Sequence, residues 1–345
     1  MPRPLHVVPS TTEFDALIQI RTAARFSSEP IDVICLEDVT NNLEALQQWI
    51  GSNAIVTAPR SQSPWLRTVQ LVQLTRRFDR NNTVTCWDPA KFGLEALPML
   101  RRFRNLQTVI TTPSKRNLTY PGVVGNFMYQ QSHSVSVSSR FLESQIPNSQ
   151  FVPSLLLPID SPDVNETLEL RTEFNLSNSS QIILCLGNNE SFVRIKEAIW
   201  IVGILEHLHQ DIHLVICGDG SQTDILRQYA DHMVLRPRIH FLTPWIEPVS
   251  LFPQIQCLLV TADHQGKDWG LQQAIQQQVA VVASRSDGNN ECIQHEQNGF
   301  LGGPDAGGLA KYIHQILLEP TVFPDRPSAD CTQNTPNPLE TVFNQ

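Results

Sequence analysis

The chain has 345 residues, 41% of them hydrophobic and 17% charged, with a formal net charge of −9. That length exceeds a usual single domain, and the apolar content is enough to fill complete cores, which excludes a disordered chain. The start, MPRPLHVVPS, has no apolar run after a basic segment, and no stretch approaches the roughly 20 apolar residues that span a bilayer, so the chain reads as a cytoplasmic protein.

Short apolar or β-branched runs alternate with amphipathic stretches, the pattern of parallel sheets wrapped by helices. In the first half, residues 5–8, 31–36, 54–57, 83–87 and 108–111 predict strands, with helices near 11–25, 63–77 and 90–102. The second half predicts strands at 182–187, 213–218, 238–242, 257–262 and 279–284, with helices near 194–209, 221–231, 269–278 and 305–318. The fold class is therefore α/β, with two doubly wound, Rossmann-like domains. A Pro- and acid-rich connector, PSLLLPIDSPDVNETLELR, separates them. The expected division is 1–160, a linker at 161–172, a second domain at 173–322 and a polar, proline-rich tail at 323–345.

Seven cysteines occur singly, with no C-x-x-C pair, and read as reduced core residues; neither a zinc site nor any other metal or cofactor is implied. Between Arg60 and Arg116, nine arginines and two lysines face three acids, a local net of +8 in an acidic chain. Arg76, Arg77, Arg80, Arg101, Arg102 and Arg104 form its densest part, at the ends of two helical stretches. Solvated complements to helix C-termini are the commoner reason for such residues. An electrostatic patch for an anionic membrane surface or a charged acceptor is the functional alternative. Nucleic acid is not indicated, because neither interleaved aromatics nor a recognition motif accompanies the charge.

Three segments resemble the retaining glycosyltransferases of group 1: LVICGDGSQTDILRQYA at 214–230, RIHFLTPW at 238–245, and VVASRSDGNNECIQHEQNGFL at 281–301. HVVPS, VSVSSRFLESQI and FVPSLLLPID are weaker echoes. The resemblance implies the GT-B arrangement, two Rossmann-like domains facing a cleft, and a nucleotide-sugar as substrate. It further implies sugar transfer with retention to a glycan or lipid-linked acceptor; contact with the inner face of a membrane is an expectation from the arginine cluster alone, independent of the resemblance.

On that resemblance, Gln265 and Gln273 stand where the family has paired glutamates for the sugar hydroxyls and the ribose. Glutamine keeps the shape and one acceptor but loses the charge that would stabilise a cationic transition state. The plain alternative makes Gln272, Gln273 and Gln276 to Gln278 the polar side of a surface helix. Gly266, Gly288 and Glu291 belong to the same implied sugar-binding loops, and Gly218-Asp219-Gly220 to the nucleotide-base loop, although a G-D-G turn is also an ordinary strand-to-helix connection.

For the phosphates, the family's arginine and lysine align with Asn188 and Val193, leaving Arg194 and Lys267 as the nearby cations. The first domain has PSTTEFDA in place of a glycine-rich turn. Trp87-Asp88 stands where the family often has His before Asp, and no nucleophile or acid–base pair is nominated. Three functions remain open: a hexosyltransferase using a nucleotide-sugar, a non-catalytic homologue acting as a binding or regulatory partner, or a nucleotide-binding protein with no carbohydrate role.

Overall fold

A computed structural model describes residues 3–38, 43–61, 63–111, 113–157, 168–243, 245–263 and 265–319. The chain divides into two compact units after Leu155. Most of the expected 161–172 linker and the whole 323–345 tail lie outside the described residues; Leu170–Glu173 is a short helix of the second unit.

The first unit holds seven strands: β1 (Leu5–Ser10), β2 (Ile31–Glu37), β3 (Ala54–Thr57), β4 (Thr83–Trp87), β5 (Asn105–Ile110), β6 (Ser134–Val137) and β7 (Ser149–Phe151). They pair in the order β3-β2-β1-β4-β5-β6-β7, every ladder parallel. The second unit holds β8 (Gln181–Leu186), β9 (Ile212–Cys217), β10 (Ile239–Leu242), β11 (Cys257–Val260), β12 (Val281–Ser284) and β13 (Phe300–Gly302). Their order is β10-β9-β8-β11-β12-β13, again all parallel.

Parallel ladders need crossover connections, and helices on both faces bury the central strands completely. LHVVPS and IHLVIC accordingly have no exposed residue along their length. One apolar cluster fills the second unit, built on Ile183, Leu214, Leu258 and Val282 with Ile199, Leu271 and Ile313 packed over them. In each sheet the strand order reverses beside the first strand, between β1 and β4 and between β8 and β11. Such switch points are where doubly wound sheets leave a crevice at their carboxyl edge.

Two expected elements differ. The helix foreseen at 90–102 is two 3₁₀ turns, Pro89–Lys91 and Leu94–Ala96, followed by a four-residue helix, Leu97–Leu100. Pro89, Gly93 and Pro98 interrupt any longer run of i→i−4 bonds there. The strand foreseen at 108–111 runs from Asn105 to Ile110 instead, because pairing with β4 begins at Asn105 opposite Thr83. Cys35, Cys86, Cys185, Cys217, Cys257 and Cys292 are buried thiols. Among the described residues, no helix is long and apolar enough to cross a membrane.

Candidate functional site

The switch point of the second sheet brings together four carboxyl-edge loops. After β8 the chain turns through Gly187, Asn188 and Asn189, and after β9 it turns through Gly218-Asp219-Gly220. The two turns interlock: Asn189 N–H donates to the Asp219 carbonyl at 2.9 Å, and Asn189 Nδ2 donates to the Gly218 carbonyl at 3.0 Å and to Thr223 Oγ1 at 3.1 Å. A Cβ on Gly218 would lie 1.7 Å from the Gly187 carbonyl oxygen, so this position requires glycine for the approach of two backbones. Asp219 bends into its own turn, where Oδ1 accepts from the Gly220 N–H at 2.8 Å and from Thr223 Oγ1 at 2.7 Å.

Cys217, at the end of β9, is no nucleophile. Burial pushes its thiol up to about 12, and Sγ donates to the Thr243 carbonyl at 3.5 Å.

On the other side of the switch point, the loops after β11 and β12 meet at Gly266 and Gly288. A Cβ on Gly288 would sit 1.8 Å from the Gly266 carbonyl oxygen, which fixes the register between them. Lys267 Nζ then lies 3.4 Å from Glu291 Oε2, both side chains mostly covered, at 12% and 22% exposure. Gln265 is 3% exposed, with its Nε2 3.5 Å from Asp263 Oδ1. Asp268 caps the helix Trp269–Gln276 by accepting from the Leu271 N–H at 2.7 Å. Thr261 Oγ1 donates to the Val193 carbonyl at 2.8 Å and ties this half of the edge to the loop after β8.

Gly266, Lys267, Gly288 and Glu291 thus meet where these two loops approach, with Gln265 beside them in sequence, while Gln273, Arg194 and Asn188 make their contacts elsewhere. Gln273 is fully buried on the helix after β11, where its Oε1 accepts from the Leu157 N–H at 2.8 Å and its Nε2 donates to the Leu157 carbonyl at 3.0 Å. Gln272 is also buried, so the reading of a polar helix face in solvent does not hold for these two residues. Arg194 occupies a left-handed backbone position, φ 60, before the helix Ile195–Leu205. Its guanidinium donates to Glu197 Oε1 at 2.9 Å and to the Pro304 carbonyl at 2.7 Å. Asn188 is buried at 6% exposure in the turn after β8. Sequence reasoning missed Asn189 and Thr261, which join the loops; the one available signal was an Asn pair directly after a strand-ending glycine.

The carboxyl edge of the first sheet is filled differently. Lys91 Nζ lies 2.6 Å from Glu13 Oε2 and 3.9 Å from Asp88 Oδ2, and Asp88 accepts from the Thr111 N–H at 2.8 Å and its hydroxyl at 2.5 Å. Burial opposes the Lys91 charge, but the Glu13 and Asp88 carboxylates outweigh it and raise the ammonium above the usual lysine range. Trp87 is 1% exposed and donates its Nε1–H to His6 Nδ1 at 3.1 Å; burial pushes His6 down to about 3, so the ring is neutral. A cavity of about 20 Å³ beside Gln19, Thr111 and Ser138 has room for a single water.

Comparison with known proteins adds to this geometry. Residues 180–319 match the family model for glycosyl transferases group 1. No curated protein sequence matches the chain. Among solved structures, HepE of Anabaena, in complex with UDP and glucose, superposes with a TM-score of 0.69 at 15% identity over 99% of both chains. The sucrose-phosphate synthase of Thermosynechococcus elongatus gives 0.65 at 14% identity, covering 96% of this chain and 92% of the other. WaaG, a glycosyltransferase involved in lipopolysaccharide biosynthesis, gives 0.65 at 11% identity, covering 99% and 98%. The chain has the two-domain, Rossmann-like GT-B fold, and its residues 180–319 match the group 1 glycosyltransferases.

Proposed function

We propose that the chain binds a uridine diphosphate sugar at the carboxyl edge of the second sheet and transfers the sugar, with retention, to a glycan or lipid-linked acceptor. The observation that carries this reading is the junction of the loops after β11 and β12, where Gly266 meets Gly288 and a covered Lys267–Glu291 pair stands at the switch point. The match of this segment to group 1 glycosyl transferases supports it, as does the binding of UDP and glucose by the structural neighbour HepE.

Each group then has a chemical task. Lys267 meets the diphosphate and offsets charge on the leaving group, acting as a point cation. Glu291 accepts hydrogen bonds from sugar hydroxyls, and the Gln265 amide both donates and accepts. With Gln265 neutral, less of the charge developing at the sugar is compensated, so turnover is slow relative to binding. Gln273 serves by holding Leu157 in place.

Titration calorimetry with UDP, GDP, ADP and their common sugar conjugates tests the proposal. Saturable binding of one uridine diphosphate sugar is expected, weakened about tenfold by Lys267→Met, a loss of one charge-assisted contact. Slow donor hydrolysis should accompany it. Absence of binding to every nucleotide overturns the reading, and tight binding without transfer to any acceptor leaves a non-catalytic homologue.

A further inference from the structure

A second charged site lies at the opposite edge of the first sheet. The loop after the helix Pro64–Thr75 leads into β4, and the loop after Leu97–Leu100 leads into β5. These strands are neighbours, with Thr83 opposite Asn105, so both loops meet at the amino edge of the sheet. Between them runs a groove of about 620 Å³, lined by Arg76, Arg77, Asp79, Arg80, Arg102 and Arg104 among others.

The walls are held in place. Arg102 Nη2 donates to the Phe78 carbonyl at 2.8 Å and to the Arg76 carbonyl at 3.3 Å. Arg104 N–H donates to the Arg80 carbonyl at 3.0 Å, and Asn105 Nδ2 to the Asn81 carbonyl at 2.9 Å. Arg77 stacks on Phe78, its guanidinium 4.8 Å from the ring centroid and 3.5 Å from Asp32 Oδ1. Asp79 turns one oxygen to the Asn81 N–H at 2.8 Å. Arg76, Arg80 and Arg104 are exposed, and among the described residues no carboxylate lies within ion-pair reach of them.

A helix C-terminus accounts for one or two cations in its last turn. Five guanidinium groups around one concavity repel one another, and among the described residues only Arg77 has an acidic partner. The geometry points to a binding site for a small soluble anion carrying two or more phosphate groups, gripped by the planar forks of Arg80, Arg104 and Arg76. The volume suits a small molecule, and the cross-bonded loops reduce the ordering cost of binding.

A membrane surface fits less well, because the groove residues offer no exposed apolar side chain to add to the electrostatic attraction of a bilayer. The single apolar residue lining the groove, Phe78, is 8% exposed. Exposed Trp65 and Leu66 stand at the far end of their helix, about 15 Å along the axis from Arg76 at the helical rise per residue.

The test is calorimetric titration of the full chain with inorganic tripolyphosphate at physiological ionic strength, in a Lys267→Met background so that the second sheet contributes no phosphate contact. One saturable site is expected. The double variant Arg80→Ser, Arg104→Ser should weaken it at least about tenfold while leaving the urea midpoint unchanged, since both side chains are exposed. Arg227→Ser, outside the groove, should leave binding intact. No saturable binding, or binding indifferent to the double variant, overturns the proposal. So does co-sedimentation with phosphatidylglycerol vesicles that the double variant abolishes while tripolyphosphate fails to bind, which would assign the groove to a lipid surface.

Discussion

Between β1 and β4 the first sheet closes its carboxyl edge with charge, joining Glu13, Lys91 and Asp88, whereas between β8 and β11 the second closes its edge with backbone, setting Gly218 against Gly187 and Gly288 against Gly266. Strand order around the switch point is the same in both. Side-chain closure fills the space: the ions are buried, Asp88 is engaged by Thr111, and a cavity beside Thr111 holds about one water. Backbone closure packs the loops tightly and leaves Lys267 and Glu291 paired at the edge, with Gln265 beside them in sequence. A shared topology therefore yields two carboxyl edges, and local chemistry decides how each is filled.

The comparison breaks most directly at Lys91. Replacing it by Met leaves the Glu13 and Asp88 carboxylates without their cation at side-chain exposures of 11% and 3%. Breaking a buried pair in this way costs about 3–5 kcal/mol. Lys267→Met acts at a longer contact whose Glu291 is more open, and the expected loss is about 1 kcal/mol or less. Urea denaturation of both variants measures the difference, and equal midpoints would contradict the assignment of closure by charge to the first sheet alone.

Next in size is Gln273. Leu157 presents one donor and one acceptor, and an amide answers both. A carboxylate answers the N–H but sets a charged oxygen against the carbonyl, so glutamine here is dictated by the backbone it holds. Gln273→Glu is expected to destabilise by about 2–3 kcal/mol at neutral pH. A protonated acid could donate to that carbonyl, so the folded state raises the introduced pKa above its unfolded value of about 4.3. The variant's deficit should therefore shrink as pH falls towards 4 and reach its full size once pH exceeds the raised pKa, about two units above the unfolded value for a loss of about 2–3 kcal/mol. A deficit that does not vary with pH would mean the side chain has left Leu157.

The alternation of strands and helices was legible because parallel strands buried on both faces read as continuous apolar runs, as in IDVICL and HLVIC. β6 and β7 were missed since SVSV and SQF are short and half polar, and period-two alternation over four residues is a faint signal. The resemblance put Gly266, Gly288 and Glu291 in two loops that the structure brings together, and Lys267 was marked only as a nearby cation. The role of Gln273 was not legible: its partner stands 116 residues earlier in the chain, and the run from Gln276 to Gln278 makes the helix look solvated. Nor could composition show that the arginines before β4 and β5 share one groove, since strand adjacency is a property of the folded sheet.

The smallest expected effect probes how far the second unit depends on backbone geometry. Two of its helices end with a side chain in the left-handed conformation, Val234 at φ 58 and Gln278 at φ 60. In both, the next N–H reaches back to close the end, from Leu235 to the Ala230 carbonyl at 3.0 Å and from Val279 to the Ala274 carbonyl at 2.9 Å. Left-handed backbone costs an L residue about 1–2 kcal/mol, and a β-branched side chain sits at the unfavourable end. Val234 is 83% exposed, so Val234→Gly loses almost no packing. Against the relief stands the extra freedom of glycine in the unfolded chain, about 0.5–1 kcal/mol. The balance favours a gain of about 0.5–1 kcal/mol in urea denaturation, with nucleotide binding unchanged. An unaltered midpoint would show that this helix end carries no strain, and that the second unit's tight tolerances are confined to the loops where Gly218 and Gly288 meet their neighbours.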